Sequence, residues 1–147
     1  MGRLRKLGVL ALMALFVTAC GSDTDKITFV SEVDGDAEIY VIDPESGVIT
    51  SLTDNRSTDS SPVWSPDGQQ VVFVSDESGD LEINVVDTKG ELTERLTNIP
   101  GDDTAPLWSP DGKNLAFVSN QDGNGEIYLL SLIHISEPTR PRLISYA

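Results

Sequence analysis

The stretch Pro62-Val63-Trp64-Ser65-Pro66-Asp67-Gly68 returns 44 residues later as Pro106-Leu107-Trp108-Ser109-Pro110-Asp111-Gly112. The same spacing relates Phe29, Phe73 and Phe117, then Ser31, Ser75 and Ser119, then Gly35, Gly79 and Gly123. Glu38-Ile39 recurs as Glu82-Ile83 and Glu126-Ile127, and Leu52-Thr53 as Leu96-Thr97. A register kept at so many positions without insertion means one supersecondary unit stacked on copies of itself.

The content of one unit is β. Val71 to Ser75 and Leu81 to Val86 are runs of strand length rich in β-branched residues. Between them, 76–80 reads as a polar hairpin loop, matched by 32–36 and 121–125, where Gly supplies the positive φ of a tight turn. Each Ser-Pro-Asp-Gly tetrad suits a type I turn, with proline second and glycine fourth. No window carries a helical period. The unit therefore has four strands: an inner one with Pro-x-Trp, a second with Phe-Val-Ser, a third with Glu-Ile, and an outer one ending in Leu-Thr. Four antiparallel strands with a period near 44 describe a propeller blade. The expected fold is all-β, a partial β-propeller of about two and a half blades, where a ring needs about four to eight. The first unit begins at its second strand, Ile27 to Ser31, so its inner strand must come from elsewhere.

The formal charge of the 147 residues is −14 and is unevenly spread. Gly21 to Leu129 holds five basic and 23 acidic residues, a body that repels phosphate backbones and disfavours nucleic acid as a partner. Such a surface is soluble, and it steers a basic partner or cations.

The first twenty residues differ in kind. Arg3, Arg5 and Lys6 precede an eleven-residue apolar run, Leu7 to Val17, too short to span a bilayer but fitting a signal peptide, expected as a helix over 1–19. The run ends in Val17-Thr18-Ala19-Cys20, which resembles the bacterial lipobox. That resemblance implies lipidation of Cys20, the only cysteine, as the mature N-terminus, followed by a short linker over 20–25. Two or more acyl chains make a stable membrane anchor. Gly21 is not the aspartate associated with inner-membrane retention, which points to the periplasmic face of the outer membrane, or otherwise the extracytoplasmic face of the cell membrane.

Trp-Ser-Pro-Asp-Gly, Phe-Val-Ser, Asp-Gly-x-x-Glu-Ile-Tyr and Leu-Thr together resemble the WD40-like (PD40) repeat of the TolB β-propeller family, over about 26–129. The resemblance implies six blades in the full ring and a scaffold in the bacterial envelope that binds a protein, peptide or glycan. TolB itself is similar to a soluble periplasmic protein with an α/β domain before its propeller; here the first blade starts about six residues after Cys20, so a lipid-anchored relative is expected. A second reading makes the propeller part of a secreted hydrolase similar to prolyl oligopeptidase, or of a propeller lyase, with its catalytic part outside this chain.

From Leu130 the period is lost. The segment 130–147 resembles the translation of a transposase-based sequencing adapter, so the third blade is expected to lose its outer strand at Leu130. His134, the only histidine, then carries no functional weight. Residues 21–129 contain no histidine or cysteine, which excludes a Ser-His-Asp or Cys-His centre and a histidine-bearing zinc site there. No cofactor is expected. The Asp34-Gly35-Asp36 and Asp122-Gly123-Asn124 loops offer oxygen donors that calcium takes, but lack the EF-hand spacing, and hairpin turns account for them. Asp59 and Asp103, three residues before Pro62 and Pro106, are candidate binding residues at one mouth of the central channel; the plainer role is to accept N–H groups in their own loops.

Overall fold

The structure is a computed structural model, and it describes residues 26–33, 35–91, 93–132 and 143–145. The signal segment, Cys20, Asp34 and most of the tail lie outside these residues. Eleven strands appear: β1 (Ile27–Ser31), β2 (Glu38–Ile42), β3 (Ile49–Ser51), β4 (Asp59–Trp64), β5 (Gln70–Ser75), β6 (Glu82–Asp87), β7 (Thr93–Arg95), β8 (Asp103–Trp108), β9 (Asn114–Ser119), β10 (Glu126–Ser131) and β11 (Leu143–Ser145). Among the described residues no helix is long and apolar enough to cross a membrane.

The strands form three antiparallel meanders, β1-β2-β3, β4-β5-β6-β7 and β8-β9-β10-β11. The 44-residue register survives pairing intact: Phe29, Phe73 and Phe117 face Tyr40, Asn84 and Tyr128 across the strand pair. The tetrads form the expected turns, Gly68 and Gly112 each donating to the carbonyl of Ser65 and Ser109 at 2.9 Å, with φ near +70° at both glycines. Ser65 and Ser109 donate to the Asp67 and Asp111 carboxylates at 2.6 Å, and those bonds hold both carboxyls below their ordinary pKa. Leu96-Thr97 falls just past β7 rather than inside it: both N–H groups turn onto the Ile83 carbonyl, and the Thr97 hydroxyl accepts from Ile83 N at 2.9 Å.

Side-chain alternation makes the middle sheet the centre of the molecule. Val71, Phe73 and Val86 point to the first sheet and pack on Ile39, Val41 and Leu52. Val72, Val74, Ile83 and Val85 point the other way, onto Leu115, Phe117, Tyr128 and Leu130 of the third. This is why β5 reads as a continuous apolar run: both of its faces are covered. Each fully buried aliphatic or aromatic side chain stabilises the stack by about 1.5–3 kcal/mol.

One feature departs from expectation. The third sheet keeps four strands, because Leu143–Ser145 pairs with Tyr128–Leu130 where the outer strand was expected to be missing. The open edge of β10 offers unpaired backbone groups, and a three-residue β-prone segment suffices to take them. The first sheet has three strands, as the repeat requires, with no described residue in its inner place.

The inner strands are also kinked. Pairing with the second strand shifts register between Ser60 and Val63 and again between Thr104 and Leu107. At the centre of each bulge sits a non-glycine residue in the left-handed region, Ser61 at φ 54° and Ala105 at φ 53°. Both precede proline, which itself disfavours that conformation, so the strain is imposed by the bulge and not chosen by the residue.

Candidate functional site

Where adjacent sheets meet, the strand ends carry a repeated polar joint. Asp59 opens β4 and its N–H donates to the Ala37 carbonyl of the first sheet at 2.7 Å; Asp103 opens β8 and donates to Leu81 of the second, also at 2.7 Å. Glu38 and Glu82, which open the third strands, are buried beside them at 3% exposure. Thr53 and Thr97 hold the corners, accepting from Ile39 N and Ile83 N at 2.9 Å. The Thr97 hydroxyl in turn donates to Glu82.

Both candidate channel-mouth residues therefore sit at equivalent places, but inside this joint. Asp59 and Asp103 are 0% exposed. A carboxylate without exposure meets a partner only if the seam between sheets opens. In the first seam, the Asn55 side chain donates to Asp59 Oδ2 at 2.9 Å, and the Asn55 N–H donates to Glu38 at 2.8 Å. The repeat puts Ile99 at the Asn55 position in the second seam. Among the described residues Asp103 consequently takes no well-formed hydrogen bond on either oxygen, although the Ser119 and Thr97 hydroxyls lie near enough to favour its ionised form. Burial prevails and pushes its pKa up. Glu82 and Glu38 are raised for the same reason, with the neighbouring aspartate adding to the shift in each case.

Cys20 lies outside the described residues, as does Asp34. The three hairpin loops close as turns, with Gly35, Gly79 and Gly123 donating to the carbonyls of Glu32, Asp76 and Asn120 at 2.8–3.3 Å. Among the described residues no three histidine, cysteine, aspartate or glutamate side chains gather as a metal site would require.

The inner strands expose their kinks: Ser61, Ala105 and Leu107 face solvent, Leu107 with 63% of its surface free. Behind them, Trp108 Nε1 donates to the Val63 carbonyl of the preceding inner strand at 3.3 Å. Trp64 has no equivalent neighbour, and its buried Nε1 is unpartnered among the described residues. On the outer side of the first seam lies a cleft of about 350 Å³, between residues 51–55 of the first sheet and Phe73, Ser75, Glu77 and Asn84 of the second.

Comparison with known proteins gives this repeat a family. A family model for the TolB beta propeller domain (PD40) matches residues 23–140. No curated protein matches the chain. Among solved structures, a putative TolB from Agrobacterium tumefaciens is similar at TM-score 0.70 and 26% identity, over 82% of this chain and 44% of that one. TolB from Acinetobacter baumannii gives TM-score 0.67 and 31% identity, over 74% of this chain and 27% of that one. A puromycin-hydrolyzing peptidase from Mycobacterium tuberculosis shares the fold at TM-score 0.63 and 15% identity, over 82% of this chain and 20% of that one. The chain thus spans less than half the length of either TolB structure. On the match across 23–140, it belongs to the TolB β-propeller domain family.

Proposed function

We propose that the chain is the propeller part of an envelope lipoprotein, anchored through lipid on Cys20, that binds a basic protein or peptide on the inner-strand face. The observation that carries this reading is the strained kink repeated at Ser61 and Ala105. Backbone strain held at equivalent exposed positions is characteristic of surfaces kept for recognition, since each such residue costs about 1–3 kcal/mol. The acidic body supports a basic partner, and the lipobox-like Val17-Thr18-Ala19-Cys20 supports the anchor. Catalysis finds no support in residues 21–129, which lack histidine and cysteine. A glycan on the same face, or a hydrolase or lyase encoded beyond this span, is the competing reading. A Gly-x-Ser-x-Gly motif with later Asp and His in the parent gene would favour the hydrolase.

The test is an in-cell experiment with wild type and C20A. Metabolic labelling with an alkyne fatty acid should mark the wild type and not C20A, and C20A should leave the membrane fraction. Crosslinking from positions 61 and 105 should then capture a basic protein whose recovery falls with added salt. An unlabelled wild type overturns the anchor; salt-insensitive capture, or none, overturns the recognition surface.

A further inference from the structure

The same two strands of the repeat carry a cross-strand pair in every sheet, on β1 and β2 in the first, and in the second and third sheets this pair faces the preceding sheet. Phe29 with Tyr40 and Phe117 with Tyr128 stack, rings 5.6 and 5.8 Å apart at 21° and 27°. In the second seam Tyr128 is 2% exposed, and its hydroxyl donates to Asp122 at 2.9 Å, with Gln121 also in contact. The tyrosine fills that seam. In the first seam the partner of Phe73 is Asn84, a shorter side chain. It is 5% exposed and turns back on its own strand, Nδ2 donating to the Glu82 carbonyl at 3.2 Å. Among the described hydrogen bonds none ends on its Oδ1.

The 350 Å³ cleft opens at this place, with Phe73, Asn84 and Glu77 among its walls. Its size is that of a small-molecule site. A volume vacated by a ring can take a free molecule of the same shape. Glu77, at the wall of the cleft, stands at the repeat position of Gln121, next to the Asp122 whose carboxylate accepts the Tyr128 hydroxyl. We propose that this cleft binds a small phenol. The ring occupies the place a tyrosine side chain fills in the neighbouring seam, beside Phe73. Its hydroxyl donates to the Glu77 carboxylate, and the Asn84 amide closes the inner end. The site is separate from the inner-strand face and independent of the lipid anchor.

The probe is 4-methylphenol, the tyrosine side chain as a free molecule, titrated into the full chain and followed by NMR line shifts or calorimetry. Saturable binding is expected with Kd on the order of 1 mM, as fits a ligand of eight heavy atoms. Asn84→Tyr should raise Tm and weaken binding at least about tenfold, because the protein's own ring then fills the cleft. Toluene, without the hydroxyl, should bind more weakly than 4-methylphenol, and Glu77→Ala should erase that difference. Absence of saturation, unchanged affinity in N84Y, or a phenol preference that survives in E77A would each overturn the proposal. Should N84Y not fold, the E77A comparison decides.

Discussion

Replacing Asp103 by asparagine should stabilise the protein at neutral pH. The carboxylate is fully buried, neither oxygen takes a well-formed hydrogen bond among the described residues, and its pKa is raised chiefly by burial. A group whose native pKa lies above its unfolded value, near 3.9 for aspartate, binds its proton more tightly when folded. Stability from that group is complete at low pH and is lost as pH rises through the native pKa; above it the loss is constant. Asparagine has the same shape and no charge to desolvate. A buried polar group without a partner costs about 1–3 kcal/mol and a charged one more, so exchanging the charge for a neutral amide in Asp103→Asn should gain roughly 1–2 kcal/mol at pH 7. For about a hundred ordered residues that is a rise in Tm on the order of 5–10 °C. The gain should shrink as pH falls through the raised native pKa, below which the wild-type carboxyl is protonated and carries no charge to desolvate. Urea melts of both proteins from pH 4 to pH 8 measure the difference directly. A companion change, Ile99→Asn, restores the partner that Asn55 gives Asp59 and should remove part of the wild-type pH slope. An asparagine variant less stable than wild type at pH 7, or a difference that does not vary with pH, would refute the reasoning.

The two tryptophans should respond differently to phenylalanine. W108F loses the bond to the Val63 carbonyl and should cost about 1 kcal/mol, whereas W64F removes an unpartnered buried N–H and should be close to neutral, as thermal melts will show. At Ala105, which is exposed, valine should destabilise by about 1–2 kcal/mol through its backbone alone, while glycine should not destabilise; equal melts for A105V and A105G would remove the claim of strain. Leu115→Ala, in the core between the second and third sheets, should cost about 2–5 kcal/mol, against near zero for the exposed Leu107→Ala.

Much of this fold was legible because a repeat reports on itself. The Ser-Pro-Asp-Gly turns and the strand order follow from residues whose types leave few alternatives. The missing inner strand of the first sheet was legible for the same reason, since the period acts as a ruler. The bulges at Ser61 and Ala105 were not, because no glycine marks them and the following prolines argue against a left-handed residue. The polar joint was partly visible: Glu38 and Glu82, Thr53 and Thr97, and Asp59 and Asp103 keep the period as polar residues at strand ends. Their burial between sheets depends on tertiary packing that no local pattern encodes. The break at Asn84 stood in the sequence as a deviation from Tyr40 and Tyr128, but only the cleft gives it meaning. β11 was illegible because an open edge accepts almost any short extended segment.

The 44-residue units stack as sheets, with the middle one covered on both faces. Amide hydrogen exchange of the full chain, read by mass spectrometry at peptide resolution, tests it most directly. Exchange should be slowest in β5 and β6, where both faces are buried, slow in β9, and fast in β3 and β7, whose residues are all exposed. Protection that is uniform along the chain, or β5 and β6 exchanging as fast as β3 and β7, would contradict it.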